Sequence, residues 1–141
     1  MNKEVELLKK ENINSYIDFI ESVFDYRANE NEIEKLIDTH KVLVIKNQQK
    51  VIASVIVEEY FEYIKNIKYC RLGYFGVLKE YRRMGYANRL FEEVEKFVKE
   101  NNIKYVELTS GNHRKAAHYF YQSNGFKIKD TTVFIKIYDQ K

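Results

Sequence analysis

Apolar residues recur along this chain at two periods, and the switches between them lay out the elements. Residues 4–8 alternate weakly, which predicts a short first strand. Tyr16, Ile17, Ile20, Val23 and Phe24 then repeat at helical spacing, with Asn14 or Ser15 available as the N-cap. A second short helix is predicted over residues 32–40, with Ile33, Leu36 and Ile37 on one face and Asn29 or Asn31 ahead of it. Residues 42–45 read as a strand, and Asn47-Gln48-Gln49 as a turn. Residues 51–57 begin a second strand that reaches Tyr60 or beyond, closing a hairpin. Residues 69–78 form the fourth strand. Gly73 and Gly76 inside it predict a bulge or a close backbone approach, because glycine otherwise weakens a strand interior.

The broadest apolar stripe follows. Ala87, Leu90, Phe91, Val94, Phe97 and Val98 share one helical face, opposite Glu92, Glu93, Glu95, Lys96 and Lys99, and Asn101-Asn102 ends the helix. Residues 105–109 alternate as a strand. A strand-helix-strand order requires a crossover, so this strand pairs parallel with the fourth. A last helix covers roughly residues 113–123 and stops at Asn124-Gly125. Residues 126–128 and 133–138 are read as a closing hairpin. The pattern predicts an α/β fold of the α+β type, with a mixed, mainly antiparallel sheet flanked by helices.

Composition narrows this further. The 141 residues suit one domain with a sizeable core, residues 1–141, and no stretch has linker or repeat character. Hydrophobic residues make up 45% and charged residues 32%, an ordinary globular balance that argues against disorder. Twelve Tyr and nine Phe predict aromatic surface in the core and in any cleft. The net charge of +3 is small; with basic residues scattered among acidic ones, it gives no footprint for nucleic acid. A lone Cys70 excludes an internal disulfide and a cysteine metal cluster, and His40, His113 and His118 lack metal-ligand spacing. The N-terminus has no signal-peptide pattern, and no apolar run is long enough to span a bilayer, so a cytoplasmic location is expected.

The chemistry concentrates in Arg82-Arg83-Met84-Gly85-Tyr86-Ala87, between the fourth strand and the long helix. The first N–H groups of a helix lack intrahelical partners, and the helix dipole is positive there. A glycine-bearing turn opening a helix is therefore an anion site, and two arginines add donors suited to phosphate. Downstream lie Thr109-Ser110-Gly111-Asn112-His113-Arg114, then Ala117-His118-Tyr119-Phe120-Tyr121 and Asn124-Gly125-Phe126. In this order and spacing, residues 75–126 resemble the GCN5-related N-acetyltransferase (GNAT) family. That family carries an (Arg/Gln)-x-x-Gly-x-(Gly/Ala) pyrophosphate loop and a later helix with a catalytic Tyr ahead of Gly-Phe. The chain also matches a subgroup pattern, Ser-Gly-x-x-Arg-x-x-Ala-His-x-Phe-Tyr.

The resemblance implies a central splayed parallel strand pair whose gap receives the pantetheine arm of acetyl-CoA. It places the pyrophosphate on Arg83 to Ala87, with Arg82, Arg83, Gly85, Tyr86 and Ala87 binding the co-substrate. Phe75 and Val77 would line the pantetheine, and a strand N–H near Val77 would polarise the thioester carbonyl. Tyr121, four residues before Gly125, takes the general-acid position; a phenol of pKa near 10 suits a thiolate leaving group. His118, one helical turn earlier, either orients Tyr121 or is a structural histidine, and the role of Arg114 stays open. The general base is open among Glu107, Glu58, Glu59 and water, since Gly73, Tyr74 and Thr109 occupy positions where relatives place a carboxylate.

The expected activity is direct transfer of an acetyl group from acetyl-CoA to an amine. Cys70 has no neighbouring base in sequence to make it a nucleophile. A small-molecule amine is favoured as partner over a protein lysine or N-terminus, because Glu58, Glu59 and Glu62 lie among aromatic residues near the expected acceptor cleft. No metal, nucleic acid or membrane partner is expected, and a homodimer is compatible with the family. The alternative is a non-catalytic acyl-CoA-binding module.

Overall fold

The computed structural model describes residues 4–139 and divides into two units, Met1–Leu108 and Thr109–Lys141. In the first unit the elements run β1 (Val5–Leu7), α1 (Ile13–Phe24), α2 (Glu30–Thr39), β2 (Lys41–Asn47), β3 (Lys50–Glu62), β4 (Ile67–Val77), α3 (Tyr86–Glu100) and β5 (Tyr105–Glu107). The strands form one sheet in the order β1-β2-β3-β4-β5, antiparallel except for the parallel β4–β5 pair. This is the mixed α/β sheet that the alternation of periods predicts, with a helix crossing between its last two strands.

Residues 51–57 of β3 are buried without a break, so both faces of the sheet are covered there. Helix α1 packs on β3 and β4 over one face, and α3 lies across β1 to β4 on the other. Leu90, Phe91 and Val94 form the buried centre of the α3 stripe. Gly76 is explained by α1: a Cβ there would sit 2.8 Å from Val23 Cγ1 and 3.1 Å from Phe24 Cζ. The close approach predicted from the glycine is thus helix against strand.

Two caps differ in outcome. Asn29 caps α2, its side chain accepting from the Glu32 N–H at 3.2 Å. Neither Asn14 nor Ser15 caps α1, whose N-cap is Asn12. Ser15 is instead drawn to the sheet, where its Oγ accepts the Val51 N–H at 2.8 Å beside a break in the β2–β3 register. Buried polar groups are matched in the same way. Ser54 Oγ donates to the Leu43 carbonyl at 2.8 Å, and Asn12 bonds both Gln49 and Lys46.

In the second unit, α4 (Lys115–Ser123) ends at Asn124, and Gly125 follows with φ +91°. That left-handed residue is what the Asn-Gly stop predicts. The closing hairpin is not formed: residues 126–138 carry no regular strand, and Val133, Phe134 and Ile135 are 77%, 91% and 82% exposed. A two-stranded hairpin is marginal in water without a third strand or a helix beneath it, and alternation alone does not supply one.

Candidate active site

The geometry around β4 builds the site. Strand β4 pairs with β5 only at Tyr69–Tyr105, Cys70–Val106 and Arg71–Glu107, whereas on its other side it stays paired with β3 as far as Val77. The β4–β5 pairing therefore ends at Arg71, while β4 itself runs on to Val77. The break coincides with a bulge, where Tyr74 and Phe75 oppose the single residue Val55. Tyr74 takes a left-handed φ of +47°, rare for a bulky side chain. The bulge expected from Gly73 and Gly76 is thus present, with its backbone cost carried by a tyrosine. Phe75 and Val77 lie half-buried in this stretch.

The chain then turns through Lys79–Tyr81 into the loop that opens α3. Arg83 has φ +64° and Gly85 φ +87°. Gly85 is the N-cap of α3, and it brings no capping side chain; no acidic residue occupies the first turn. A Cβ on Gly85 would meet nothing within 4 Å, so the glycine serves backbone conformation and open approach, not packing. Two left-handed residues flanking Met84 and an uncapped fifteen-residue helix give a concave start rich in N–H donors. Arg83 is exposed, while Arg82 has one donor committed, Nε to the Val77 carbonyl at 3.0 Å. That bond ties the loop to the end of β4. Tyr86, at the first helical position, packs its ring 6.3 Å from that of Tyr81, whose hydroxyl accepts from Asn47 at 2.9 Å. Ala87 follows, half-buried in the first turn.

Tyr121 sits on α4 with its ring 5.7 Å from both Phe120 and Phe126, each edge-on. Burial raises its pKa, and Arg114 works the other way. The phenol consequently holds its proton throughout the neutral range. Gly111 lies against His113, whose Cε1 would be 2.8 Å from an added Cβ. Ser110 Oγ is shielded from solvent without a hydrogen-bond partner among the described residues, an arrangement that costs about 1–3 kcal/mol.

The candidate bases separate by face. Glu58 pairs in register with Arg71, and Glu59 with Cys70, so the two carboxylates leave β3 on opposite sides. Glu58 Oε2 accepts from the Tyr60 hydroxyl at 3.1 Å and lies 3.5 Å from His40 Nε2. Glu107 is 3.5 Å from Arg71. Cys70 is fully buried, and its pKa is pushed up to about 11, chiefly by burial and secondarily by Glu59. A thiol so protonated is a poor nucleophile. Among the described residues no group of three or more His, Cys, Asp or Glu is placed to hold a metal, and no helix is long and apolar enough to cross a membrane. A separate hollow lined by Glu4, Val5, Arg89, Glu92, Glu93 and Lys96 contains none of the predicted site residues.

Sequence reasoning missed the role of Tyr74. The signal available to it was a tyrosine between Gly73 and Gly76, a bulky residue where the glycines promise irregular backbone.

A five-stranded mixed sheet with one parallel pair, and a glycine-led helix crossing between the paired strands, define a mixed α/β protein. The chain belongs to the acetyltransferase (GNAT) family, whose model matches residues 6–126. A search of curated proteins gives no match. Solved structures share the fold at low identity. The ribosomal-protein-alanine N-acetyltransferase from Brucella melitensis biovar Abortus 2308 is 14% identical with a TM-score of 0.81, over 96% of this chain and 100% of that one. The aminoglycoside antibiotic 6'-N-acetyltransferase AAC(6')-Ih from Acinetobacter baumannii is 19% identical with a TM-score of 0.81, over 99% and 100%. A transcriptional regulator from Bacillus halodurans C-125 is 14% identical with a TM-score of 0.81, over 96% and 100%. At such identities the likeness is one of fold.

Proposed function

We propose that this chain is an acetyl-CoA-dependent N-acetyltransferase, a single domain that moves the acetyl group directly to a primary amine in a ternary complex. The observation that carries the reading is the start of α3. Its N-terminal N–H groups are uncapped, Gly85 leaves open space, and no carboxylate stands in the first turn to repel an anion. Backbone donors from Arg83 to Ala87 hold the pyrophosphate, and the exposed Arg83 adds charge. The pantetheine arm runs along β4 beyond its last pairing with β5 at Arg71–Glu107, with Phe75 and Val77 beside it. Family membership over residues 6–126, across both units, supports treating them as one domain.

In the transfer a new C–N bond forms as the thioester C–S bond breaks. The amine loses a proton to a carboxylate or to water, and Tyr121 supplies a proton to the departing sulfur. The raised pKa of Tyr121 keeps it in the donor form at neutral pH. Cys70, buried and protonated, has no part in a covalent route. A small amine acceptor fits the acidic and aromatic residues on β3. A cytoplasmic location and a homodimer are compatible with the reading, and neither is required by it.

Calorimetric titration with acetyl-CoA tests the proposal. The native chain should bind, and Gly85→Glu should abolish binding, since it adds a negative charge and forces a side chain into a left-handed backbone. Absence of binding by the native chain would overturn the reading. Binding without turnover of any amine would favour the alternative, an acyl-CoA-binding module.

A further inference from the structure

The loop that opens α3 is tied to the sheet at more than its own strand. Its entry is fixed where the buried Leu78 donates its N–H to the Ile52 carbonyl at 2.8 Å. One helical turn follows, Lys79–Tyr81, closed by the Tyr81 N–H on the Leu78 carbonyl at 2.9 Å. At the end of that turn the Tyr81 hydroxyl accepts from Asn47 Nδ2 at 2.9 Å, a bond that joins residues 34 positions apart. Asn47 is the last residue of β2 and pairs with Lys50 across the Gln48-Gln49 turn, so the sheet fixes its backbone.

Tyr81 carries this hold to the helix. Its ring lies 6.3 Å from that of Tyr86, with the planes inclined by 62°. Tyr86 is the first residue of α3 and follows Gly85 directly. Asn47, Tyr81 and Tyr86, all half-buried, therefore form a line from the end of β2 to the start of α3. On the other side of the loop, Arg82 Nε is bonded to the Val77 carbonyl at 3.0 Å. The loop so held includes Arg83 at φ +64° and Gly85 at φ +87°. A left-handed residue other than glycine persists only where its surroundings over-determine it. A loop free to leave that conformation would offer its N–H groups to an anion only part of the time, and binding would carry the cost of ordering it.

We infer that Asn47 and Tyr81 are positioning residues for the co-substrate: the end of β2, through the Tyr81 hydroxyl and ring, holds the Arg83–Ala87 loop in the form that receives a pyrophosphate. Their part is played through Tyr86 and the loop backbone. The inference rests on the acetyltransferase reading for the identity of the ligand, and it adds a determinant of affinity that lies on the β2–β3 hairpin, outside the loop itself.

The test is a double-mutant cycle of Asn47→Ala and Tyr81→Phe, read by calorimetric titration with acetyl-CoA. Tyr81→Phe keeps the ring beside Tyr86 and removes only the hydroxyl, so that variant should fold with a Tm close to native. Each single variant should weaken binding about three- to tenfold, the usual worth of one hydrogen bond. The double variant should bind no more weakly than the poorer single one, because both changes remove the same bond. Asn47→Gln, which keeps an amide donor, should bind more tightly than Asn47→Ala. Native affinity in both single variants, with or without a lower Tm, would overturn the inference, and so would losses that add in the double variant. Failure of the native chain to bind acetyl-CoA would instead overturn the acetyltransferase reading, so the two failures are told apart.

Discussion

At the scale of single residues, the site depends on where protons are held. Tyr121 is kept protonated by burial, against the opposing pull of Arg114. Its ordinary pKa is near 10, and the shift is upward, so loss of the acid should begin only above that value. Tyr121→Phe should lower kcat by about 10²- to 10⁴-fold, the usual worth of a positioned acid, while acetyl-CoA binding persists. Steady-state kinetics of the variant, with kcat followed to alkaline pH, provide the check; an undiminished kcat would remove Tyr121 from the mechanism. Cys70 makes the opposite case. Because its thiol is buried and its pKa is pushed up to about 11, iodoacetamide at neutral pH should leave both the mass and the activity of the folded protein unchanged. Rapid alkylation with loss of turnover would reopen a covalent route.

At the scale of elements, the chain was most legible where a period ran long. The α3 stripe, the β2–β3 hairpin and the parallel β4–β5 pair all follow from spacing, because burying a regular face is a repeated requirement that a sequence must meet repeatedly. The turn into α3 was legible for a different reason: its N-cap has a left-handed backbone, which only Gly85 adopts without strain. What spacing could not convey was tertiary competition. Ser15 has the chemistry of a helix cap, but its hydroxyl accepts the Val51 N–H near the start of β3 instead. Tyr74 reads as an ordinary strand aromatic until the register with Val55 is known. The closing segment alternates well enough for a hairpin, yet the period says nothing about what lies beneath it. Glycine spacing does allow one energetic statement. Gly76→Ala would push a methyl into Val23 and Phe24, so it should destabilise by about 1–3 kcal/mol in urea unfolding. Gly73→Ala should not, which makes the pair a measure of how differently two glycines in one strand are used.

For the molecule as a whole, stability at high pH should report on the core between α1 and the sheet. Tyr16 is 1% exposed, and burial, with Tyr74 nearby, raises its pKa well above 10, while a hydrogen bond with Ser54 works the other way. In the unfolded chain the same phenol ionises near 10. Above that pH the unfolded state gives up a proton that the folded state keeps, so the unfolded state binds fewer protons and ΔG of unfolding must fall as pH rises. The stabilisation is therefore fully present below pH 10 and is lost above it, by up to about 1.4 kcal/mol per pH unit from this group. The chain has eleven other tyrosines, so the comparison is made against Tyr16→Phe. That variant keeps the ring, leaves Ser54 its bond to Leu43, and removes the titrating proton. Urea unfolding from pH 8 to pH 11 should show a steeper loss of stability in the native chain than in the variant, with the curves diverging above about pH 10. Parallel curves would mean that the Tyr16 hydroxyl is ionised as easily in the fold as in water, and that α1 is not sealed against the sheet.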